Sequence, residues 1–205
     1  MKYALKEWNT IVEALGKGKT IAIWRKGGIA DTPEPNKSFK VEKERFILFP
    51  TFTHEELDKV KKECWIYFKQ NHKLSKDNQL QIKYWTELYE EIPISDINQL
   101  LSISDELVNS YEHLVSSYNL NPSSKGKVLI LRVYALNYPI LIPDISKYGG
   151  CKSWVELNIN IPRIRSTPAL SFKEFNHKVK TIKLLLAKSK AYTDQSEITA
   201  ISKAS

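Results

Sequence analysis

The chain has 205 residues, 42% hydrophobic and 26% charged, an ordinary globular balance that supports one packed domain. Lysine and arginine outnumber aspartate and glutamate by 31 to 23, and the resulting net charge of +8 favours polyanionic partners such as nucleic acid or nucleotide. No stretch is long and apolar enough to span a bilayer, and Cys64 and Cys151 lack both the number for a disulfide framework and the spacing for zinc.

The chain opens on Met1 and Lys2 with no apolar h-region, so no signal peptide is read and a cytoplasmic location is expected. Leu5, Trp8, Ile11, Val12 and Leu15 fall at helical spacing and predict an amphipathic helix, stopped by Gly16-Lys17-Gly18. A strand is expected over 20–24, followed by a basic turn at Arg25-Lys26-Gly27-Gly28 and a proline-bearing loop over 30–37. Strands over 39–41 and 45–49 flank Glu42-Lys43-Glu44, and Pro50 closes that unit. Thr53 and Glu56 form a capping-box pattern, which predicts a helix over 54–70.

Strict alternation over 80–88 predicts a strand. A short helix over 96–103 and a second one capped by Ser104 follow, the latter carrying Leu107, Val108, Tyr111, Leu114, Val115 and Tyr118 on one face. A loop over 121–126 leads into the central apolar run at 128–136, which holds a single charge, Arg132. Strands over 138–142 and 155–161 are expected beyond it, then an exposed connector with Arg163 and Arg165. The last helix carries Phe172, Phe175, Val179, Ile182, Leu185 and Leu186. Residues 1–190 form one α+β domain on this reading, and 191–205 form a polar, frayed tail.

Three groups of residues are candidates for binding. Arg25, Lys26, Gly27 and Gly28, with Trp24 before them, can bring backbone N–H groups and two cations to a phosphate; the same residues also describe a plain hairpin-like turn. Tyr148, Gly149, Gly150, Lys152 and Trp154 combine a tight turn, a cation and aromatic rings that can stack on a base, or a tryptophan in the core and a solvated lysine. Arg132 either closes an internal ion pair with Glu156, Glu44 or Glu42, or lines a pocket. His54 reads as a first-turn residue more readily than as a general base, and His72, His113 and His177 share no ligand spacing. A nuclease of the restriction type needs Glu-x-Lys or Asp-x-Lys on a strand, and the chain contains neither.

The segments LKEW, WRKGGI, RFILFPTFTHE and VLILRVYAL with YGGCKSWVEL, in that order, resemble the prokaryotic family known as domain of unknown function 1802. Where that family carries an aromatic residue and a histidine, this chain has Ser102-Ile103-Ser104. The resemblance implies an association with restriction-endonuclease-type domains, and so with DNA defence. The opening pattern of helix, Gly-Lys-Gly and a strand ending in Arg-Lys is also similar to domains of the ASCH and PUA-like group.

These readings converge on an α+β domain with a mixed, curved sheet or a PUA-like pseudo-barrel flanked by helices. The expected function is a nucleic-acid-binding or base-recognising module with no cofactor, no metal and no catalytic signature. The alternatives are a metal-dependent nuclease or nucleotide hydrolase using Glu42, Glu44 and His54, and an adaptor for a partner nuclease.

Overall fold

The computed structural model describes residues 1–26, 39–71, 80–120, 124–142, 145–150, 152–161 and 165–204. In chain order its elements are β1 (Tyr3–Trp8), α1 (Asn9–Gly16), β2 (Ala22–Lys26), β3 (Arg45–Thr51), α2 (Trp65–Asn71), β4 (Leu80–Ile94) and α3 (Ile97–Ser102). They continue with α4 (Tyr111–Asn119), β5 (Gly126–Ile142), β6 (Trp154–Glu156), β7 (Ser166–Pro168) and α5 (Phe172–Ala204). Short 3₁₀ turns occupy Leu57–Lys59, Lys62–Cys64, Ser104–Glu106 and Ser146–Tyr148.

The long apolar run of β5 is explained by burial on both faces. Leu129, Leu131 and Val133 point into a core shared with Leu5, Ile23, Phe46, Leu48 and Tyr84 of the other strands and with Ile11 and Leu15 of α1. The alternate residues Val128 and Ile130 face Leu100, Leu114, Phe175, Val179 and Ile182 of the helices. A strand alternates its side chains between faces, so only a sheet covered on both sides asks for an unbroken apolar sequence.

The sheet is mixed, with strand order β2-β5-β4-β3-β1-β6 and β7 added on β5. Only the β1–β3 pair is parallel among these. It is also strongly curved. Glu7 on β1 and Arg25 on β2 lie four steps apart in that order, yet their charged groups are 3.1 Å from each other. In a flat sheet four strand spacings would separate them by about 19 Å. Arg25 also donates to the Ser153 hydroxyl at 2.7 Å, next to β6, so the two ends of the strand order face each other across a narrow mouth.

Register shifts in the β4–β5 ladder bend the strands. Residues 136–139 of β5 lie opposite Lys83 alone, so Pro139 sits where no ladder bond is asked of it. This is why the break expected between 136 and 138 is a bulge in one long strand. The expected stop of α1 holds: Gly18 has φ 67°, and the Gly18 and Lys19 N–H groups donate to the Leu15 and Ala14 carbonyls at 3.0 and 2.9 Å.

Several local expectations are corrected. Residues 3–8 form a strand, because Ala4 and Leu5 are both fully buried between β3 and β6, and the helix starts only at Asn9. The capping box at Thr53 and Glu56 starts no helix. Lys59 and Lys61 give their backbone groups to Ser110 and Val108 at 2.9 Å, around a bridge between Val60 and Asn109, and a continuous helix cannot supply those bonds. Residues 39–41 form no strand, although Phe39 is buried. The helix expected after Ser104 begins at Tyr111, with the Ser110 hydroxyl accepting from the His113 N–H at 3.3 Å. The strand expected over 155–161 is shorter, and Leu157 and Ile161 instead donate to the Lys2 and Met1 carbonyls at 2.8 Å. The short helix expected over 96–103 is present as α3, and Asp96 stands just before it as its cap, accepting from the Gln99 N–H at 3.0 Å.

The backbone of α5 is helical through Ala204, across the stretch read as a polar tail. The loop over 30–37, residues 121–123, His72, Cys151 and Arg163 lie outside the described residues. Among the described residues no helix is long and apolar enough to cross a membrane.

Candidate functional site

Two hollows adjoin at the mouth where the ends of the sheet meet. The larger, about 250 Å³, is lined by Trp24, Asn109 and His113 among others, and the smaller, about 180 Å³, by Lys6, Thr51, His54, Lys152 and Ser153. Glu7, Trp8 and Arg25 line both. They are contributed by the last two positions of β1 and by β2, so the curvature of the sheet is what brings them together.

Glu7 and Arg25 form the wall between the hollows. Glu7 is 6% exposed, with one carboxylate oxygen 3.1 Å from the guanidinium and the other accepting from the Trp8 N–H at 2.8 Å. The guanidinium lies 4.7 Å over the Phe39 ring, which in turn stacks on Trp154. Its Nε is buried and makes no hydrogen bond to the described residues. The helix α1 starts directly behind this wall. The Glu55 carboxylate accepts from the Thr10 N–H there at 2.7 Å, so a second acidic side chain serves the positive end of the helix.

Lys6 donates to the Tyr148 and Gly150 carbonyls at 2.9 and 2.7 Å, pinning the turn that carries Gly149 and Gly150 against β1. Gly150 takes φ 80° beside the smaller hollow. Lys152 is exposed there and makes no hydrogen bond or ion pair with the described residues.

The other residues singled out in the sequence have structural partners. Trp24 is 8% exposed, donates to the Ser117 hydroxyl at 3.1 Å and stacks on Tyr118, so it forms a floor to the larger hollow. Lys26 donates to the Tyr118 carbonyl in the last turn of α4, and burial lowers its pKa. Tyr148 is buried against Phe49, its hydroxyl accepting from the Asn158 N–H at 3.1 Å. Trp154 donates to the Lys40 carbonyl at 3.0 Å and packs on Phe39 and Phe46. Tyr148 and Trp154 therefore have their ring faces committed to packing.

Arg132 stands apart from the mouth. It pairs with none of Glu42, Glu44 and Glu156; it donates to the Ser171 carbonyl at 3.3 Å and lies 4.7 Å over the Phe175 ring, clasping α5 to β5. Arg165, at φ 66°, gives its carbonyl to Asn137 and does not line the hollows. Gly27 and Gly28 lie outside the described residues. Glu42 and Glu44 are exposed in an irregular segment, and His54, at φ 60°, sits in a turn beside the smaller hollow. Among the described residues no group of three or more His, Cys, Asp or Glu is placed to hold a metal ion.

Glu7, Trp8, Asn109 and His113 are among the lining residues that the sequence reading does not assign to a site. Glu7 and Trp8 belong to the LKEW segment, where alternation along a strand would have separated an inward Glu7 from Trp8. Trp8 is partly buried and lies 5.0 Å from the His113 ring.

Burial holds the His113 imidazole below its usual pKa, with Lys59 acting in the same direction and Asp58 and Glu56 opposing it. The folded chain thus binds fewer protons at this position than the unfolded chain does. The stability this gives is present above the ordinary value of 6.5 and is lost as pH falls through the lowered folded value. His113→Gln is expected to flatten the corresponding part of a plot of urea midpoint against pH. An unchanged plot would contradict the assignment.

The family described as Domain of unknown function (DUF1802) matches residues 4–181 of the chain. Among solved structures, a substituted variant of the ASCH protein from Zymomonas mobilis aligns with a TM-score of 0.43 at 14% identity, covering 87% of this chain and 94% of that one. The ASCH protein from Zymomonas mobilis itself aligns at 0.42 and 15%, covering 87% and 93%. No curated protein matches the chain.

Proposed function

The chain belongs to the DUF1802 family, and on that premise we propose that it is a nucleic-acid-binding, base-recognising module. The observation that carries this reading is the junction at Trp8, a partly buried indole between two hollows, with a guanidinium whose Nε is unpartnered and an exposed lysine beside it. An aromatic face next to cations suits a base with its phosphate, since stacking is worth ~1–3 kcal/mol per base and adds to charge attraction. Trp8 takes the base, Lys152 meets the phosphate, and Arg25 orders the wall between them. Lys26, Tyr148 and Trp154 support the site through packing. The setting we attach to this module is DNA defence of the restriction type, or nucleic-acid processing, with a partner nuclease performing the cleavage.

Titration of fluorescent single- and double-stranded DNA and RNA by anisotropy across a salt series tests the reading. Micromolar or tighter binding is expected, with log K falling as log salt rises. Lys152→Ala, a change at an exposed side chain, is expected to weaken binding to all sequences alike and to reduce the salt slope by about 1. Absence of binding at low salt overturns the proposal.

A further inference from the structure

The larger hollow holds polar groups that the fold leaves unused. Asn109 is 6% exposed and lines that hollow, and its side-chain amide makes no hydrogen bond to the described residues. Its backbone is fixed by the bridge to Val60 and by the flanking bonds of Lys61 to Val108 and Ser110 to Lys59, both 2.9 Å. The amide is therefore held in place by the chain without being satisfied by it. The amide opens onto the hollow, where its donor and acceptor are left for a partner supplied from outside. The Trp8 indole N–H and the His113 ring nitrogens line the same hollow and likewise make no hydrogen bond to the described residues.

We infer that this hollow is a pocket for a single adenine base, stacked on Trp8, with its exocyclic amine and neighbouring ring nitrogen read by the Asn109 amide. The inference rests on the nucleic-acid reading above. Its cavity of about 250 Å³ lies below the ~300–1,000 Å³ of pockets for drug-sized ligands, and suits one base. An asparagine amide presents one donor and one acceptor side by side, the complement of the adenine amine and its adjacent acceptor nitrogen. His113 lies within the same wall as a further donor or acceptor for the ring edge. Trp24 and Ile11 give the hollow an apolar base.

The test compares wild type with Asn109→Ala in anisotropy titrations of labelled oligo(A), oligo(G), oligo(C) and oligo(U). Competition with adenosine monophosphate and with purine riboside monophosphate, which lacks the amine, separates a free nucleotide from a base within a strand. Wild type is expected to prefer oligo(A), and to lose roughly 5- to 150-fold in affinity when the amine is absent, the range of one bidentate pair. Competition by adenosine monophosphate identifies a pocket open to free nucleotides; competition by oligo(A) alone ties it to nucleic acid, and both support the adenine assignment. Asn109→Ala is expected to abolish the preference while leaving the salt slope and the melting temperature unchanged. Salt-dependent binding with no adenine preference, or a preference that survives Asn109→Ala, overturns this inference and leaves the nucleic-acid reading standing. No binding of any oligonucleotide at low salt overturns both.

Discussion

Glu7→Ala is expected to lower the unfolding free energy by about 3–5 kcal/mol, the usual cost of removing one partner of a buried ion pair. The side chains of Arg25 and Glu7 are only 17% and 7% exposed, so either charge is poorly hydrated when the other is lost. Glu7 also accepts from the Trp8 N–H at the start of α1, and that donor would be left without its acceptor. The pair joins β1 to β2 across the mouth, so the loss bears on the closure of the whole sheet. Urea unfolding of Glu7→Ala measures it. The double variant Glu7→Leu with Arg25→Met, which removes both charges and fills the space with apolar atoms, is expected to recover much of the stability. A loss below about 1 kcal/mol in Glu7→Ala would place the pair at a solvated surface.

Gly126→Ala is the second large effect, with an expected cost of about 3 kcal/mol, the upper part of the range for overpacking a core. A methyl group at that position would fall within the six-membered ring of Trp24. The ring is held where it is: it is 8% exposed, bonded to Ser117 and stacked on Tyr118. Gly126 opens β5 and pairs with Lys26, so the disturbance would splay β2 from the sheet at the edge of the larger hollow. Combining Gly126→Ala with Trp24→Leu should return part of the loss, and thermal melts of the two variants decide the matter. An unaltered melting temperature in Gly126→Ala would mean that the tryptophan does not cover that backbone.

The elements visible in the sequence are those whose pattern and packing agree. The alternation of β4, the apolar run of β5 and the stripe of α5 each follow from local burial that tertiary contacts reinforce. The start of the chain misleads because Leu5, Trp8, Ile11, Val12 and Leu15 fit a helical period while the element changes from strand to helix at Asn9. The Thr53–Glu56 pattern fails because a bridge to Asn109, far along the chain, claims the backbone of 59–61.

The site was legible only in fragments. Arg25 and Lys152 stand out in the sequence as cations near turns, and both line the mouth. What the sequence does not carry is the curvature that sets Arg25 against Glu7 and Ser153, since that pairing depends on the whole strand order. Aromatic residues near a glycine turn do not by themselves show which ring is open. Tyr148 and Trp154 are used in packing, and Trp8, placed in a helix by its spacing, is the indole that meets both hollows. Asn109 has no signature in sequence, because what sets it apart is its place on the wall of the larger hollow.

The most direct test of the nucleic-acid account is the affinity of Trp8→Ala for a single-stranded oligonucleotide, measured beside wild type over the same salt series. The account predicts a loss equivalent to ~1–3 kcal/mol of stacking with the salt slope unchanged, because the phosphate contacts remain. Equal affinity of the two proteins would contradict it, showing that nucleic acid does not bind at the junction of the two hollows.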